Sequence, residues 1–338
     1  MKWIKILAPF LLILLAGAAI GIYAMSRYPD TVDARHGDAH IVTIEPGESF
    51  GATSRKLQDI GLIQSPLKFK LYARLSGLHR QIKAGEYQFY GSMTPRQILN
   101  TLVEGKVLLY RVTIPEGYTL RQIAQTVAQA GFGDAEPFYQ LATDPAVVQD
   151  QQLEALSLEG YLFPDTYYFP KGFSQRKIIA AMTQRFRESI SDTWRTRADA
   201  LGLTLHQVVT LASIIEKETG DPAERPLIAS VFHNRLKKGM RLETDPTVIY
   251  GIKDFDGNLT RKHLRTPTPY NTYVIKGLPP GPIASPGHAA LEAALYPAET
   301  DYLFFVSRKD RTHQFSTNLE DHQKAVRKYQ LRRKRKSS

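Results

Sequence analysis

Two glutamates at the end of a predicted helix are the residues best suited to acid–base chemistry. Apolar spacing predicts a helix over 205–219, and Glu216 and Glu218 lie in its last turn. Two residues along a helix correspond to about 200° around its axis, so the two carboxyls cannot act together on one ligand. Glu218 follows Leu211 by seven residues and Ile214 by four, which places apolar side chains beneath it. This environment predicts a raised pKa and a general-acid role for Glu218.

The same two glutamates also fit a simpler interpretation. Glu216 follows Ala212 and Ser213, a smaller and more polar patch, and Lys217 lies between the two acids. A solvated helix end carrying two ordinary carboxyls would have the same composition. The residues alone favour Glu218 over Glu216 without deciding between them.

Other classes of reaction lack the residues that they need. The chain of 338 residues contains no cysteine, which excludes disulfides, thiolate metal ligands and a cysteine nucleophile. It also lacks the HExxH, Walker and GxGxxG motifs. His36 and His40 have the spacing of helical metal ligands but no third ligand nearby, so we interpret them as part of a linker. The sequence therefore predicts carboxylate chemistry with no cofactor and no metal.

An internal repeat precedes the region that carries the two glutamates. Residues 42–49 and 112–119 both begin with Val-Thr-Ile, continue through a glycine and end on Ser or Thr. This pattern predicts a strand, a turn and a capped helix in each copy, and a similar unit spans 85–102. The arrangement resembles LysM modules, which bind glycans that contain N-acetylglucosamine. A small α+β domain without a ligand fits the same pattern.

Residues 136–330 are predicted to form a second, mixed region. Several further segments have helical spacing, and short apolar strands are expected near 302–306 and 313–316. A stiff loop over 277–287 has seven Gly or Pro in eleven positions. Together with the repeat, these elements predict an α+β fold class.

The chain begins with a predicted membrane anchor. Residues 6–25 are twenty positions without a charge, and a helix of that length covers about 30 Å, the thickness of a bilayer core. Lys2 and Lys5 precede it, which predicts a single pass with a cytoplasmic N-terminus. A cleaved signal peptide is the alternative, since residues 16–18 resemble a cleavage site, but the apolar run continues past them.

The net charge of +11 is concentrated near the C-terminus. Residues from 323 onward contain eight Lys or Arg and no acid, and the rest of the chain carries +3 once these are removed. No basic domain is therefore available to bind nucleic acid. We interpret these residues as a solvated tail, with a contact to polyanions or anionic lipids as the alternative.

Several segments of the chain resemble the endolytic murein transglycosylases, the YceG-like family. Residues 212–219, Ala-Ser-Ile-Ile-Glu-Lys-Glu-Thr, are similar to the signature of that family. The further similar blocks, in chain order, are Glu159-Gly160 with Phe163-Pro164-Asp165-Thr166, Asn234-Arg235-Leu236, Met240 to Gly251, Thr268-Pro269-Tyr270-Asn271-Thr272-Tyr273 and Gly277 to Ile283. The resemblance runs from the membrane helix to about residue 330.

This resemblance implies a single-pass enzyme of the inner membrane whose catalytic domain is periplasmic. The expected organisation is an N-terminus with its anchor over 1–28, a stalk over 29–40, a LysM-like subdomain over 41–135, a catalytic domain over 136–330 and a basic tail over 331–338. The implied substrate is the glycan strand of peptidoglycan, and cleavage within nascent strands would terminate their elongation. The implied partners are the inner membrane and peptidoglycan synthases, the penicillin-binding proteins.

The catalytic acid of the family falls on Glu218. One carboxyl suffices for a lytic transglycosylase, because the 6-hydroxyl of N-acetylmuramic acid closes a 1,6-anhydro ring and no water has to be activated. Neutral dipoles, including backbone carbonyls of the Gly/Pro loop, would stabilise the oxocarbenium-like transition state. The candidate substrate-binding residues are Tyr250, Asn271, Tyr273, Arg235 and Asp245, of which the last two could equally form a structural ion pair.

Two other functions stay open at the level of the sequence. A muramidase would hydrolyse the same bond with water and leave a reducing end instead of an anhydro end. A peptidoglycan-binding scaffold would hold glycan through the repeat and would need no acid. An acid set against apolar side chains favours an enzyme over a scaffold.

Overall fold

The computed structural model describes residues 2–32 and 37–331, with side chains from residue 10 onward. It divides into two compact units, a smaller one of Met1–Tyr110 with Tyr168–Gly172 and a larger one of Arg111–Tyr167 with Phe173–Ser338. His36 of the expected linker and residues 332–338 of the expected basic tail lie outside the described residues. Helices and short strands occur together, which confirms the α+β class.

The first helix, α1 (Lys2–Arg27), contains the apolar segment of the sequence. Residues Phe10–Asp30 have the length and mean hydropathy of a candidate membrane span. Large apolar side chains along this stretch, such as Leu12 and Ile20, are exposed. An exposed apolar helix of this length is compatible with a membrane span.

The smaller unit packs three helices against a two-stranded antiparallel sheet. Its elements are β1 (Ala39–Ile44), α2 (Phe50–Asp59), α3 (Pro66–Leu75), β2 (Gly85–Tyr90) and α4 (Pro95–Glu104). Strands β1 and β2 pair with Val42 opposite Tyr87, and both side chains are buried. Leu57, Phe69 and Leu99 from the three helices complete this core.

Both copies of the repeat have the local structure that their pattern predicts. Gly47 and Gly117 have φ values of +80° and +74°, a left-handed region that glycine adopts without strain. Ser49 and Thr119 then cap the following helices through their side-chain oxygens. The turn chemistry of the repeat is therefore a property of the local sequence.

The two copies lie in different compact units. Strand β3 (Leu109–Thr113) pairs with β4 (Thr166–Pro170), and the chain passes between the units within these strands. The first copy, 42–49, belongs to the smaller unit and the second, 112–119, to the larger one. The assignment of 41–135 to a LysM-like subdomain stays a prediction.

The larger unit is mostly helical. Its elements are α5 (Leu120–Gln129), α6 (Ala135–Thr143), α7 (Pro145–Asp150), α8 (Gln175–Ser189), α9 (Asp192–Ala200), α10 (Leu205–Glu218), α11 (Arg225–Lys237), α12 (Asp245–Tyr250), α13 (Arg261–Arg265), α14 (His288–Leu295), β5 (Phe304–Ser307), β6 (His313–Ser316) and α15 (Leu319–Tyr329). Strands β5 and β6 form an antiparallel hairpin.

Helix α10 is the centre of the larger unit. Thr204 and Gln207 form a capping box at its start, which fixes where the helix begins. Every residue from Val208 to Ile215 is buried, so the helix is covered on all sides and not only along the predicted apolar stripe. Helices α11 and α14 pack against it. Its last turn, with Glu216 and Glu218, is consequently held rigidly where it leaves the core.

Candidate active site

Glu218 is the last residue of α10 and lies in a surface cleft. The cleft has a volume of about 740 Å³, and its lining residues include Thr219, Asp221, Arg311 and His313. The Glu218 residue is half-buried. A cleft of this size can admit sugar residues to the carboxyl.

The environment of Glu218 favours its protonated form. Burial raises its pKa to about 7, and the negative charge of Asp245 acts in the same direction. The hydroxyl of Thr244 donates a hydrogen bond to Oε1, which lowers the pKa and limits the shift. Within the part of the chain that the structure describes, Oε2 has no hydrogen-bond partner. Glu218 can therefore hold a proton near neutral pH on an oxygen that is free to give it away.

Thr244 is held in place by two other buried threonines. Its N–H donates to Oγ1 of Thr272 at 3.1 Å, and its carbonyl accepts from Oγ1 of Thr247 at 2.8 Å. Glu243, the preceding residue, has a φ of +53°, which is uncommon for a residue with a side chain. This turn directs the Thr244 hydroxyl at the end of α10, so Thr244 orients Glu218.

A histidine that lines the same cleft is held by a second glutamate, Glu224. The N–H of His313 donates to Oε1 of Glu224 at 2.7 Å, and Nδ1 lies 2.6 Å from Oε2. A carboxylate only accepts, so the ring donates through Nδ1, and this leaves Nε2 without a partner among the described residues. His313 thus presents an oriented imidazole to the cleft that contains Glu218.

Glu216 has a structural environment that differs from that of Glu218. Its Oε1 pairs with Arg225 at 3.1 Å, and both side chains are buried. Its Oε2 accepts from the N–H of Gly287 at 3.0 Å. A side chain at Gly287 would collide with the carboxylate of Glu116, which lies 3.7 Å from Arg225. The two glutamates face different sides of α10, and neither is an ordinary solvated acid.

Asp245 and Tyr273, two of the predicted substrate-binding residues, lie beside Glu218. The Tyr273 hydroxyl donates to Oδ1 of Asp245 at 2.7 Å. Burial raises the pKa of Tyr273, and the charges of Asp245 and Glu218 add to this effect. Asp245 is exposed and Tyr273 is half-buried, so both can meet a ligand that reaches Glu218.

Arg235 and Asn271 are buried and shape the loops around the site. Arg235 donates to the carbonyls of Arg241, Leu242 and Leu303. Its acidic partner is Glu243, at 3.1 Å, so the structural pair with Asp245 that the sequence left open does not form. The Asn271 amide donates to the carbonyls of residues 263, 264 and 266 at the end of α13. Both side chains use their hydrogen-bond donors on groups within the protein, which favours a positioning role over contact with substrate.

Tyr250 lies in a second cleft, of about 630 Å³, at the other end of α12. Its hydroxyl donates to Oε2 of Glu159 at 3.1 Å, and Glu159 also accepts from the N–H of Leu120 at 2.9 Å. Burial raises the pKa of Glu159 to about 7 against these hydrogen bonds. Tyr250 can contact a ligand in this second cleft, which also includes Arg121.

The Gly/Pro loop is fixed to the core of the larger unit. The N–H of Ile283 donates to Oγ of Ser213 on α10 at 3.0 Å, and the N–H of Ser285 donates to the carbonyl of Tyr118 at 2.8 Å. Ile283, Ala284 and Ser285 are buried. The loop therefore braces α10, and this central part of it has no open surface to offer a substrate.

Sequence reasoning did not assign Thr244, His313 or Glu224 to the site. Thr244 lies inside a segment that resembles the family, but nothing in its spacing indicates a contact with Glu218, 26 residues away. Glu224 and His313 are 89 residues apart. No local pattern joins residues at such separations, because the packing of α11 and of the β5–β6 hairpin brings them together.

Comparison with known proteins confirms the resemblance in the sequence. Residues 42–328 match the YceG-like family, and the chain belongs to that family. A crystal structure of a YceG-like protein from Listeria monocytogenes has a TM-score of 0.60 and 35% sequence identity to this chain. The match covers 86% of this chain and 99% of that one.

Two curated relatives are named endolytic murein transglycosylase. The protein from Bacillus subtilis is 35% identical over 304 residues, which cover 85% of this chain and 84% of that protein. The protein from Streptococcus pneumoniae serotype 2 is 31% identical over 352 residues, which cover 94% of this chain and 63% of that protein.

Proposed function

We propose that this protein is an endolytic murein transglycosylase, with Glu218 as its single acid–base residue. The observation that carries the proposal is the half-buried Glu218 at an open cleft, with a pKa of about 7 and one carboxyl oxygen that has no hydrogen-bond partner among the described residues. Relatives at 31–35% identity over most of the chain have this activity in their names.

In the proposed reaction, Glu218 gives up one proton and then takes up another. The protonated carboxyl gives its proton to the glycosidic oxygen that leaves C1 of N-acetylmuramic acid, and the C1–O bond breaks. The resulting carboxylate then takes the proton of the 6-hydroxyl of the same sugar, whose oxygen bonds to C1 and closes the 1,6-anhydro ring. The first proton leaves on the hydroxyl of the departing sugar, and the 6-hydroxyl proton restores the acid form of Glu218, so water and a second carboxylate are not required.

Groups around Glu218 support the charged intermediate. The Thr244 hydroxyl can hold the carboxylate form after the first transfer, because it already donates to Oε1. The Tyr273 hydroxyl donates to the Asp245 carboxylate, and both lie near Glu218, where negative and dipolar groups would stabilise an oxocarbenium-like sugar.

The products distinguish this reaction from hydrolysis. Purified murein sacculi would be digested with the full chain in detergent, and the soluble fragments would be examined by mass spectrometry. We expect cleavage inside the strands to produce fragments that end in 1,6-anhydro-N-acetylmuramic acid. The mass of each such fragment is lower by one water than that of the same fragment with a reducing end. Asp221 lines the same cleft and could activate water in a muramidase; reducing ends alone would establish that function instead.

We also propose that α1 anchors the enzyme in the inner membrane, with the catalytic unit in the periplasm. The apolar span and the lysines that precede it support this orientation. In the native host, the protein should retain its N-terminal segment and fractionate with inner membranes. Protease added to spheroplasts should digest both compact units and leave α1 intact. A mature N-terminus near residue 19 would instead identify a cleaved signal peptide.

Glycan binding by the LysM-like region and cleavage of nascent strands complete the proposal. A groove of about 390 Å³ in the smaller unit, with Thr43, Glu86 and Lys171 in its wall, could hold glycan.

Cleavage close to penicillin-binding proteins would terminate strand elongation. Longer glycan strands in cells that lack the activity, measured by chromatography of released strands, would support this role, and unchanged lengths would contradict it.

A further inference from the structure

Helix α3 carries a row of leucines that the protein leaves uncovered. Leu67, Leu71 and Leu75 are 75%, 46% and 72% exposed. They are spaced by four residues, so they span an arc of about 80° on one side of the helix. The other side of α3 supplies Phe69, Tyr72 and Ala73 to the core of the smaller unit. Three aligned, exposed leucines indicate a surface that contacts a lipid bilayer or another molecule.

Basic side chains lie on both edges of this leucine row. On a helical wheel Lys68 lies at one edge, and Lys70 and Arg74 lie at the other. The helix contains no acidic residue. Long basic side chains next to an apolar stripe are typical of helices that lie in a membrane interface, where the cations reach lipid phosphates.

The same helix packs against the end of the membrane anchor. Tyr28 directly follows α1, and its ring meets the ring of Tyr72 edge to face, with 6.5 Å between the centroids. Two residues later, Asp30 accepts hydrogen bonds from Arg96 on α4 at 2.7 and 3.0 Å. These contacts join α1 to the smaller unit by a short, packed connection instead of a free linker.

This connection limits how far α3 can lie from the bilayer. Tyr28 lies inside the candidate span Phe10–Asp30, at its C-terminal end. Tyr23 and Arg27, which contact each other at 5.8 Å, have the residue types that occur at a lipid–water boundary. Leu71 is the neighbour of Tyr72, so its backbone is about 4 Å further along the chain. With α1 in the bilayer, this short connection keeps the leucine row close to the lipid head groups.

We propose that Leu67, Leu71 and Leu75 insert into the head-group region of the leaflet on which the smaller unit stands. The partner is the phospholipid bilayer itself, with Lys68, Lys70 and Arg74 favouring anionic lipids. The proposal rests on the proposed membrane anchoring by α1. It makes α3 a second membrane contact, which restricts rotation of the smaller unit about the anchor.

The absence of cysteine from the chain makes the test direct. Single-cysteine variants of the full chain, Leu14→Cys in α1, Leu71→Cys in α3 and Leu156→Cys in the larger unit, would carry a spin label. Leu156 is a matched control because it is 77% exposed and lies on no leucine row. The proteins would be placed in nanodiscs of phosphatidylethanolamine and phosphatidylglycerol, and accessibility to oxygen and to a water-soluble nickel complex would be measured.

We expect oxygen accessibility to exceed nickel accessibility at positions 14 and 71, with the reverse order at 156, because oxygen concentrates in lipid and the nickel complex stays in water. A water-exposed label at 71 with a lipid-exposed label at 14 would overturn the inference and leave the anchor intact. A water-exposed label at 14 would instead overturn the anchor.

Self-association provides a second decisive outcome. If the leucine row is an interface between two copies, the unlabelled Leu71→Cys protein should form an intermolecular disulfide under mild oxidation, and the label on a separate labelled sample should stay out of lipid. That result would reassign the surface to a second copy. Monomeric protein with a lipid-exposed label supports the bilayer as the partner.

Discussion

Replacing Glu218 by glutamine removes the acid proton and keeps the shape of the side chain. The glutamine oxygen can still accept the hydrogen bond from Thr244, so the end of α10 should keep its position. General acid catalysis contributes about 10²–10⁴-fold to a rate. One residue acts here as acid and then as base, so we expect a loss of at least about 10⁴-fold in anhydro product.

The same substitution should leave the fold intact or stabilise it above neutral pH. The pKa of Glu218 rises from 4.5 to about 7, so ionising the native carboxyl at pH 8 costs at most about 3 kcal/mol. Water in the cleft reduces this value. Since the folded state retains the proton more strongly, the wild type loses stability as pH rises from about 4.5 to about 7. Glu218→Gln should therefore melt at or above the wild-type temperature at pH 8 and show no such gain at pH 4.

Glu216→Gln is the control on the other side of the helix. It breaks a buried ion pair with Arg225, which can cost about 3–5 kcal/mol when one charge is left alone. Glu116 lies 3.7 Å from Arg225 and stays as a second partner, so the cost should fall below that range. Activity must accordingly be expressed per folded molecule, with the folded fraction taken from circular dichroism.

The pair of variants tests both the face assignment and the chemistry. Activity would be followed as soluble anhydro-muropeptides released from sacculi, separated by chromatography and identified by mass. We expect Glu216→Gln to retain substantial activity per folded molecule. A Glu218→Gln protein that produces anhydro ends at nearly the wild-type rate, beside an inactive but folded Glu216→Gln protein, would refute the assignment of the acid.

Three further predictions concern pH and the residues around the acid. The value of kcat/KM on sacculi should fall as pH rises through about 7, because Glu218 must be protonated to act; a rate that is unchanged up to about pH 9 would contradict this role. Thr244→Val removes a hydrogen bond that lowers the pKa of Glu218, so the decline in kcat/KM should move to higher pH, by about one to two units; an unchanged profile would exclude the positioning role. Glu159→Gln should raise the free energy of unfolding at pH 8 by at most about 3 kcal/mol, with no gain at pH 4, because burial raises the pKa of this carboxyl to about 7; urea titrations at both pH values would show the difference.

The parts of the site that the sequence predicts are those that depend on local contacts. Helix α10 begins at a capping box and ends within one residue of its predicted boundary. The residues four and seven positions before Glu218 are neighbours on the same helix, so its apolar surroundings follow from spacing alone. Ser49 and Thr119 likewise cap helices that start one residue later.

The other parts depend on where distant segments meet. The sequence offered Asp245 as a partner for Arg235, but the fold brings Glu243 to Arg235 and Tyr273 to Asp245. Glu216 was expected on a small polar patch, whereas tertiary packing buries it against Arg225. An ion pair between helices has no periodic signature, since it depends on the angle and distance at which the helices cross.

Burial alone does not identify the acid of this site. Burial raises the pKa of both Glu159 and Glu218 to about 7, and it also raises that of Glu116, so a desolvated carboxyl is not unique to the cleft. Both oxygens of Glu159 accept from the N–H of Leu120, and Oε2 also accepts from Tyr250, which ties this carboxyl to the start of α5. Among residues 2–32 and 37–331, Glu218 accepts a hydrogen bond from Thr244 alone, through Oε1, and its Oε2 has no hydrogen-bond partner beside the cleft. A proton donor needs an oxygen that can face its substrate. This requirement favours Glu218 over Glu159, whereas their similar pKa values do not distinguish the two residues.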